Sequence, residues 1–268
     1  MPAKAQTRQQ ILEQMLDETY QVVAGQYIQV AQTFPLSHQN SKGLLLKLKP
    51  TPQANLKNQV AQEEFQAIMQ KLTELIQKPP TNYQDENLLY LEQQVSDILG
   101  FSVSASRDGY QIPYIGGVMA GLPHLKRTPT DELKSHQFIL EAGLRKKRSF
   151  YGWFSPNTLN QKQIEYERFY FSLPINLTPA WKADPKKTAE YFKYRKLVMV
   201  NPARNVAVVG VLADIGPYNL TRAQFGGSPE VVRLGEVWHP ESKGKVAIFF
   251  VDDPKNQVPL GKTSLNYV

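Results

Sequence analysis

Apolar positions recur at three- and four-residue steps over Thr7 to Phe34, where Ile11, Leu12, Met15, Leu16, Tyr20, Val23, Tyr27 and Ile28 sit among glutamines, so an amphipathic helix is predicted there, stopped by Pro35. A polar connection follows over Leu36 to Asn55, with room for one short strand at Gly43 to Leu48. Leu56 to Gln77 repeats the helical period through Val60, Phe65, Ile68, Met69, Leu72, Leu75 and Ile76, and Lys78-Pro79-Pro80 ends it. A third helix runs from Asp85 to Leu99, with Gly100 at its C-terminal cap. At Phe101 the period changes to two. Phe101, Val103 and Ala105 alternate with polar residues, Asp108-Gly109 supplies a tight turn, and Tyr110, Ile112 and Tyr114 resume, which predicts a β-hairpin over 101–115. Gly116, Gly117 and Gly121 follow, and Thr130 caps a predicted helix over Asp131 to Gly143. A short polar helix over Asn160 to Glu167 precedes a strand from Phe169 to Leu173.

The densest β pattern lies toward the C-terminus. Lys196 to Val200 and Val206 to Ala213 are strands joined by the turn Asn201-Pro202-Ala203-Arg204-Asn205. The second ends on Asp214-Ile215-Gly216-Pro217, a carboxylate at a strand end before two residues that turn the backbone. Ser228 caps a helix with Pro229 at its first position, closed by Leu234-Gly235, and Val246 to Val251 forms the last strand before Asp252-Asp253-Pro254. This series resembles the double-psi β-barrel domains of rare lipoprotein A-like proteins, expansins and related lytic transglycosylases. The matching pieces are Asn201-Pro202, Asp214-Ile215-Gly216-Pro217, Ser228-Pro229 and Leu234-Gly235, with Phe150-Tyr151-Gly152 similar to that family's first strand. The resemblance spans about the last 75 to 120 residues. It implies an α+β chain: a mainly helical region over 1–143, then a six-stranded double-psi β-barrel over 144–268.

Length and 41% hydrophobic residues permit a substantial core in one or two domains. With no cysteine, disulfide frames, thiolate metal sites and thiol nucleophiles are excluded. No apolar run reaches the length of a membrane-spanning helix. Met1 to Gln10 lacks the apolar segment of a secretory signal, so residence in the cell envelope or outside the cell requires a signal or anchor already removed, and a cytoplasmic location stays open. The net charge of +7 is uneven: residues 1–100 carry −2 and residues 101–268 carry +9, with the densest cluster at Arg145-Lys146-Lys147-Arg148. Such a field suits an anionic polymer, and solvated surface cations are the plain alternative. The amphipathic helices either pack on their own domain or offer a face to a protein partner.

Candidate chemistry follows from the resemblance. Breaking a glycosidic bond requires a carboxyl that protonates the leaving oxygen. Asp214 matches the family aspartate and is the expected acid/base, with Glu165 or Glu167 as a second carboxylate. The family histidine is missing: its place falls near Tyr194 and Arg195, and no histidine occurs between 137 and 238. If this is an enzyme, it is expected to be a lytic transglycosylase-like glycan lyase; the alternative is an expansin-like binder. Tyr151, Trp153, Tyr170, Trp181, Tyr194, Arg195 and Tyr218 are the expected substrate contacts, the aromatic rings offering flat faces to sugars or filling the core. The expected partner is peptidoglycan or another anionic glycan polymer, without a cofactor. The glycine and lysine spacing at 116–126 fits no nucleotide-binding loop. Nucleic acid is the less expected partner, and the alternative function is a non-catalytic scaffold or a nucleic-acid- or anionic-polymer-binding protein using the basic half. No metal is expected, because His124 and His136 stand twelve residues apart without an evident third ligand.

Overall fold

Ten consecutive buried residues, Val206–Ile215, form the longest strand of a computed structural model that describes residues 60–78, 82–136, 138–155, 158–217 and 222–267. The helix expected over Thr7 to Phe34, the strand expected at Gly43 to Leu48, and Tyr218 lie outside the described residues. In chain order, helices α1 (Gln62–Gln77) and α2 (Glu86–Leu99) lead into strands β1 (Val103–Ser104), β2 (Ser106–Arg107), β3 (Tyr110–Gln111) and β4 (Gly116–Gly121). After a long connection come α3 (Gln161–Arg168), β5 (Tyr170–Leu173), α4 (Pro179–Ala183), α5 (Pro185–Phe192), β6 (Lys196–Asn201) and β7 (Val206–Ile215). β8 (Phe225–Gly227), α6 (Pro229–Leu234), β9 (Lys245–Val251) and β10 (Gly261–Thr263) complete the chain.

Six strands close into a mixed barrel. Going round it, β4 pairs with β9, β9 with β6, β6 with β7, β7 with β5, β5 with β8, and β8 with β4. The β4–β8 and β5–β7 pairs are parallel and the other four antiparallel. β7 is long enough to serve β6 along one edge while its other edge pairs first with β10, at Ala207–Val209, and then with β5. Both faces of β7 are covered, and its residues accordingly form a nearly unbroken apolar run instead of an alternating one.

Local signals act where the pattern places them. Asp108 and Gly109, at φ 53° and 79°, make the turn between β2 and β3. The Asp85 side chain accepts from the backbone of Asn87 and Leu88 at the start of α2, and Gly100 closes that helix in the left-handed region. Asn201, the fully buried last residue of β6, donates its amide to Gly235 O and Ser242 Oγ, both at 2.8 Å, and so ties the β6–β7 hairpin to the segment after α6.

One strand is not foreseen by the sequence and one expectation is corrected. Gly116, Gly117 and Gly121, given no element from the sequence, lie in strand β4, so the barrel draws on chain before residue 144 as well as after it. Gly116 has a packing reason: a Cβ on it would lie 2.5 Å from Ile76 Cα, because the backbone of α1 approaches the strand there. The helix expected over Asp131 to Gly143 is replaced by two short 3-10 turns, Leu133–Ser135 and Leu140–Ala142. Ile139 takes φ 52° between them, and His136 turns inward to a buried carboxylate, which an uninterrupted helix would not permit.

The main core fills the barrel and the space beneath α1 and α2, through residues such as Phe65, Leu72, Ile98, Phe171, Leu212, Phe225 and Phe250. A second, smaller core contains Tyr170 and Ala213, whose strand neighbours Phe171 and Leu212 belong to the first. Since successive strand residues face opposite ways, Tyr170 and Ala213 point out of the barrel, where they are buried with Leu125 and Phe154.

Candidate functional site

Asp214 stands near the end of β7, opposite Ser172 of β5 beside an irregularity in their pairing. It is 3% exposed. One carboxylate oxygen accepts from the Arg145 guanidinium, the other from Phe150 N at 2.7 Å. These bonds tie the chain between β4 and α3 to the barrel end. Phe150 itself is 49% exposed, and aromatic rings gather beside it: Tyr151 at 5.1 Å and Trp181 at 6.0 Å between centroids. Tyr151 leads on to Tyr194 at 6.1 Å, and Tyr194 lies 5.6 Å from Phe154 and 5.0 Å from Tyr166. Tyr194 sits at φ 55° between α5 and β6, where its N–H donates to Leu212 O. Burial, and then the nearby Asp214 charge, push the Tyr151 hydroxyl well above its ordinary pKa. Lys146, Lys147 and Arg148 are exposed on the same segment. The result is an aromatic, basic rim held by a buried carboxylate.

The structure thus brings Tyr151, Trp181 and Tyr194 of the expected contacts into one neighbourhood with Asp214. Trp153 is half-buried on the same segment. Tyr170 is fully buried, its hydroxyl donating to Pro123 O at 2.6 Å, so its ring fills the outer core and has no surface to present. Arg195 lies 4.1 Å from the ring centroid of Tyr191 and is engaged there. Glu165 is half-buried on α3 and accepts from Gln161 one turn earlier. Two clefts, of about 620 and 360 Å³, run along α1 and between α1 and α2, and Asp214 lines neither.

Glu167 is the largest departure from expectation. It is wholly buried, not an exposed helix carboxylate, and it meets both histidines that the sequence left without a third ligand. His124 Nδ1 is 3.1 Å from Glu167 Oε1, and His136 Nδ1 is 3.1 Å from Oε2. The second contact lies off the ring N–H direction, so Oε2 gains no hydrogen bond from it. Each ring is held from its far side: His124 Nε2 is 3.0 Å from Phe138 O, and His136 Nε2 is 3.1 Å from Asp131 Oδ2. Asp131 is fixed in turn by Arg127, through backbone and guanidinium, and by Ser135. Burial pushes the Asp131 carboxyl up, but the Arg127 and Ser135 bonds outweigh it and hold it at about 2. Burial likewise opposes the charged forms of Glu167 and His124, and their mutual bond prevails, lowering the carboxyl and raising the ring. Only the spatial meeting of α3 with the 124–136 segment reveals this cluster; no spacing signal in the sequence carries it.

Comparison with protein-family models, curated proteins and solved structures found no match to this chain.

Proposed function

We propose that this protein binds a carboxylate-bearing glycan polymer, of the peptidoglycan class, on the rim around Asp214, and that its closed six-stranded barrel is of the double-psi type. Support for the barrel type comes from the two parallel pairings within a mixed closed sheet and from the order of the Asn201-Pro202, Asp214 to Pro217 and Ser228-Pro229 segments. One observation carries the function: Phe150 is anchored through its backbone by Asp214 while its ring remains exposed beside Trp181, next to three exposed cations. Rings of this kind suit the C–H faces of sugars, and the cations suit carboxylates. Cleavage is less well supported. A general acid must reach the leaving oxygen, whereas both oxygens of Asp214 are occupied by donors and nearly all of its surface is covered.

The test incubates the full chain with peptidoglycan sacculi and measures sedimented protein and released muropeptides separately. Binding without release is expected, and it should be lost in Phe150→Ala/Trp181→Ala. Release that disappears in Asp214→Asn would replace binding with cleavage. Failure to sediment, combined with binding to a nucleic acid or another polyanion, would move the rim to the anionic-polymer scaffold class.

A further inference from the structure

We propose that His124, His136 and Glu167 form a binding site for a divalent transition-metal ion of the zinc class, with both histidines ligating through Nδ1. Their donor atoms lie within 4.8 Å of one another, in a pocket of the fold where all three side chains are at most 2% exposed. The far nitrogen of each ring faces only acceptors: the carbonyls of Phe138 and Ile139 for His124, and the Asp131 carboxylate for His136. An acceptor there holds the proton on Nε2, so loss of the Nδ1 proton frees a lone pair on the Glu167 side of each ring. A divalent cation would take the place of the Nδ1 protons, including the one now shared between His124 and Glu167, and gather three donors.

A second observation points the same way. Glu167 Oε2 is buried and has no hydrogen-bond partner, although His136 Nδ1 is only 3.1 Å away, off the line a shared proton would need. An ion lying to one side of that line has no such requirement. Whichever Glu167 oxygen ligates, its 3.1 Å separation from one histidine Nδ1 is close to the roughly 3.3 Å between neighbouring ligand atoms of tetrahedral zinc with bonds of about 2.0–2.2 Å. Carbonyl and carboxylate acceptors on the outer ring nitrogens are what orient histidine ligands in metal sites. The three protein ligands leave a fourth position for water.

Binding here would join α3 to a stretch whose regular structure among the described residues is limited to two 3-10 turns. His124 is bonded through its backbone to Gly143 and Arg145, and Arg145 is the partner of Asp214, so the ion would also steady the rim from behind. The site does not depend on what the rim binds.

The experiment strips the full chain with a chelator, dialyses it, and titrates zinc by calorimetry and cobalt by visible absorption, with nitrogen NMR of the histidine rings on the wild type. One equivalent of zinc, cobalt bands of tetrahedral intensity, and Nδ1 shifts in two of the four histidines are expected. Glu167→Gln should abolish binding, Asp131→Asn should weaken it about 10–100-fold by loosening His136, and His239→Asn should leave it intact. The proposal is overturned if the wild type binds neither metal at one equivalent, if Nε2 signals move instead, or if Glu167→Gln binds as the wild type does. Should that variant fail to fold, the ring signals of the wild type decide.

Discussion

Replacing Asp214 with asparagine separates an anchoring carboxylate from a reacting one. The amide oxygen of the introduced side chain can still accept from Phe150 N, so the bond at 2.7 Å survives in one rotamer. The Arg145 guanidinium then faces an NH2 group and loses a hydrogen bond to a charged acceptor, a bond worth about 1.5–3 kcal/mol in general. The Arg145 side chain is 35% exposed and can turn into water, which reduces the net cost to about 1–2 kcal/mol. For a domain of this size that corresponds to a fall in Tm of about 2–8 °C. Arg145→Met should cost more than Asp214→Asn, because it leaves a carboxylate that is 4% exposed without its cation, and the double variant should recover part of the loss. Thermal unfolding followed by circular dichroism and calorimetry measures all four proteins of this cycle. If Asp214→Asn melts with the wild type, the carboxylate is not an anchor and the reasoning fails.

Charge reversal at the exposed Lys146, Lys147 and Arg148 should abolish sedimentation with sacculi while changing stability by no more than about 0.5 kcal/mol per site, as read from urea unfolding; equal binding would remove the cations from the interface. Gly116→Ala should destabilise by about 1–3 kcal/mol, since its Cβ meets the Ile76 backbone, and an unchanged denaturation midpoint would show that α1 is not seated on β4. Acid should weaken the fold through Asp253. Burial raises its carboxyl, but Lys196 and the N–H groups of Gln257 and Val258 prevail and bring it below the ordinary 3.8. That stabilisation is therefore complete above the unfolded carboxyl range and is lost as pH falls through and below it, so Asp253→Asn and wild type should converge in urea midpoint on acidification. A gap that widens toward low pH would refute this sign. Asn201→Ala should cost at least about 2 kcal/mol by leaving the Gly235 carbonyl and the Ser242 hydroxyl without their donor, again measured by denaturation.

Elements with local signals were legible along the chain before any contact was known. The helices at Gln62–Gln77 and Glu86–Leu99, the Asp108-Gly109 turn, the β6–β7 hairpin and the Ser228-Pro229 helix start depend on periodicity, capping and turn chemistry that a few neighbouring residues supply. The position of Asp214 at a strand end was legible for the same reason. Contacts between distant segments settle the remainder. β4, half glycine, carries no strand pattern until its pairing with β8 and β9 is seen, and β8 and β10 are three residues long, with partners far away in sequence. Whether a carboxylate faces solvent or a ring is likewise not local: Asp214 is closed off by Arg145 and Phe150, and Glu167 is drawn from the outside of a polar helix to His124 and His136. A residue's period along the chain reports which face it occupies, but only closure of the barrel and the return of the 122–155 segment fix what that face meets.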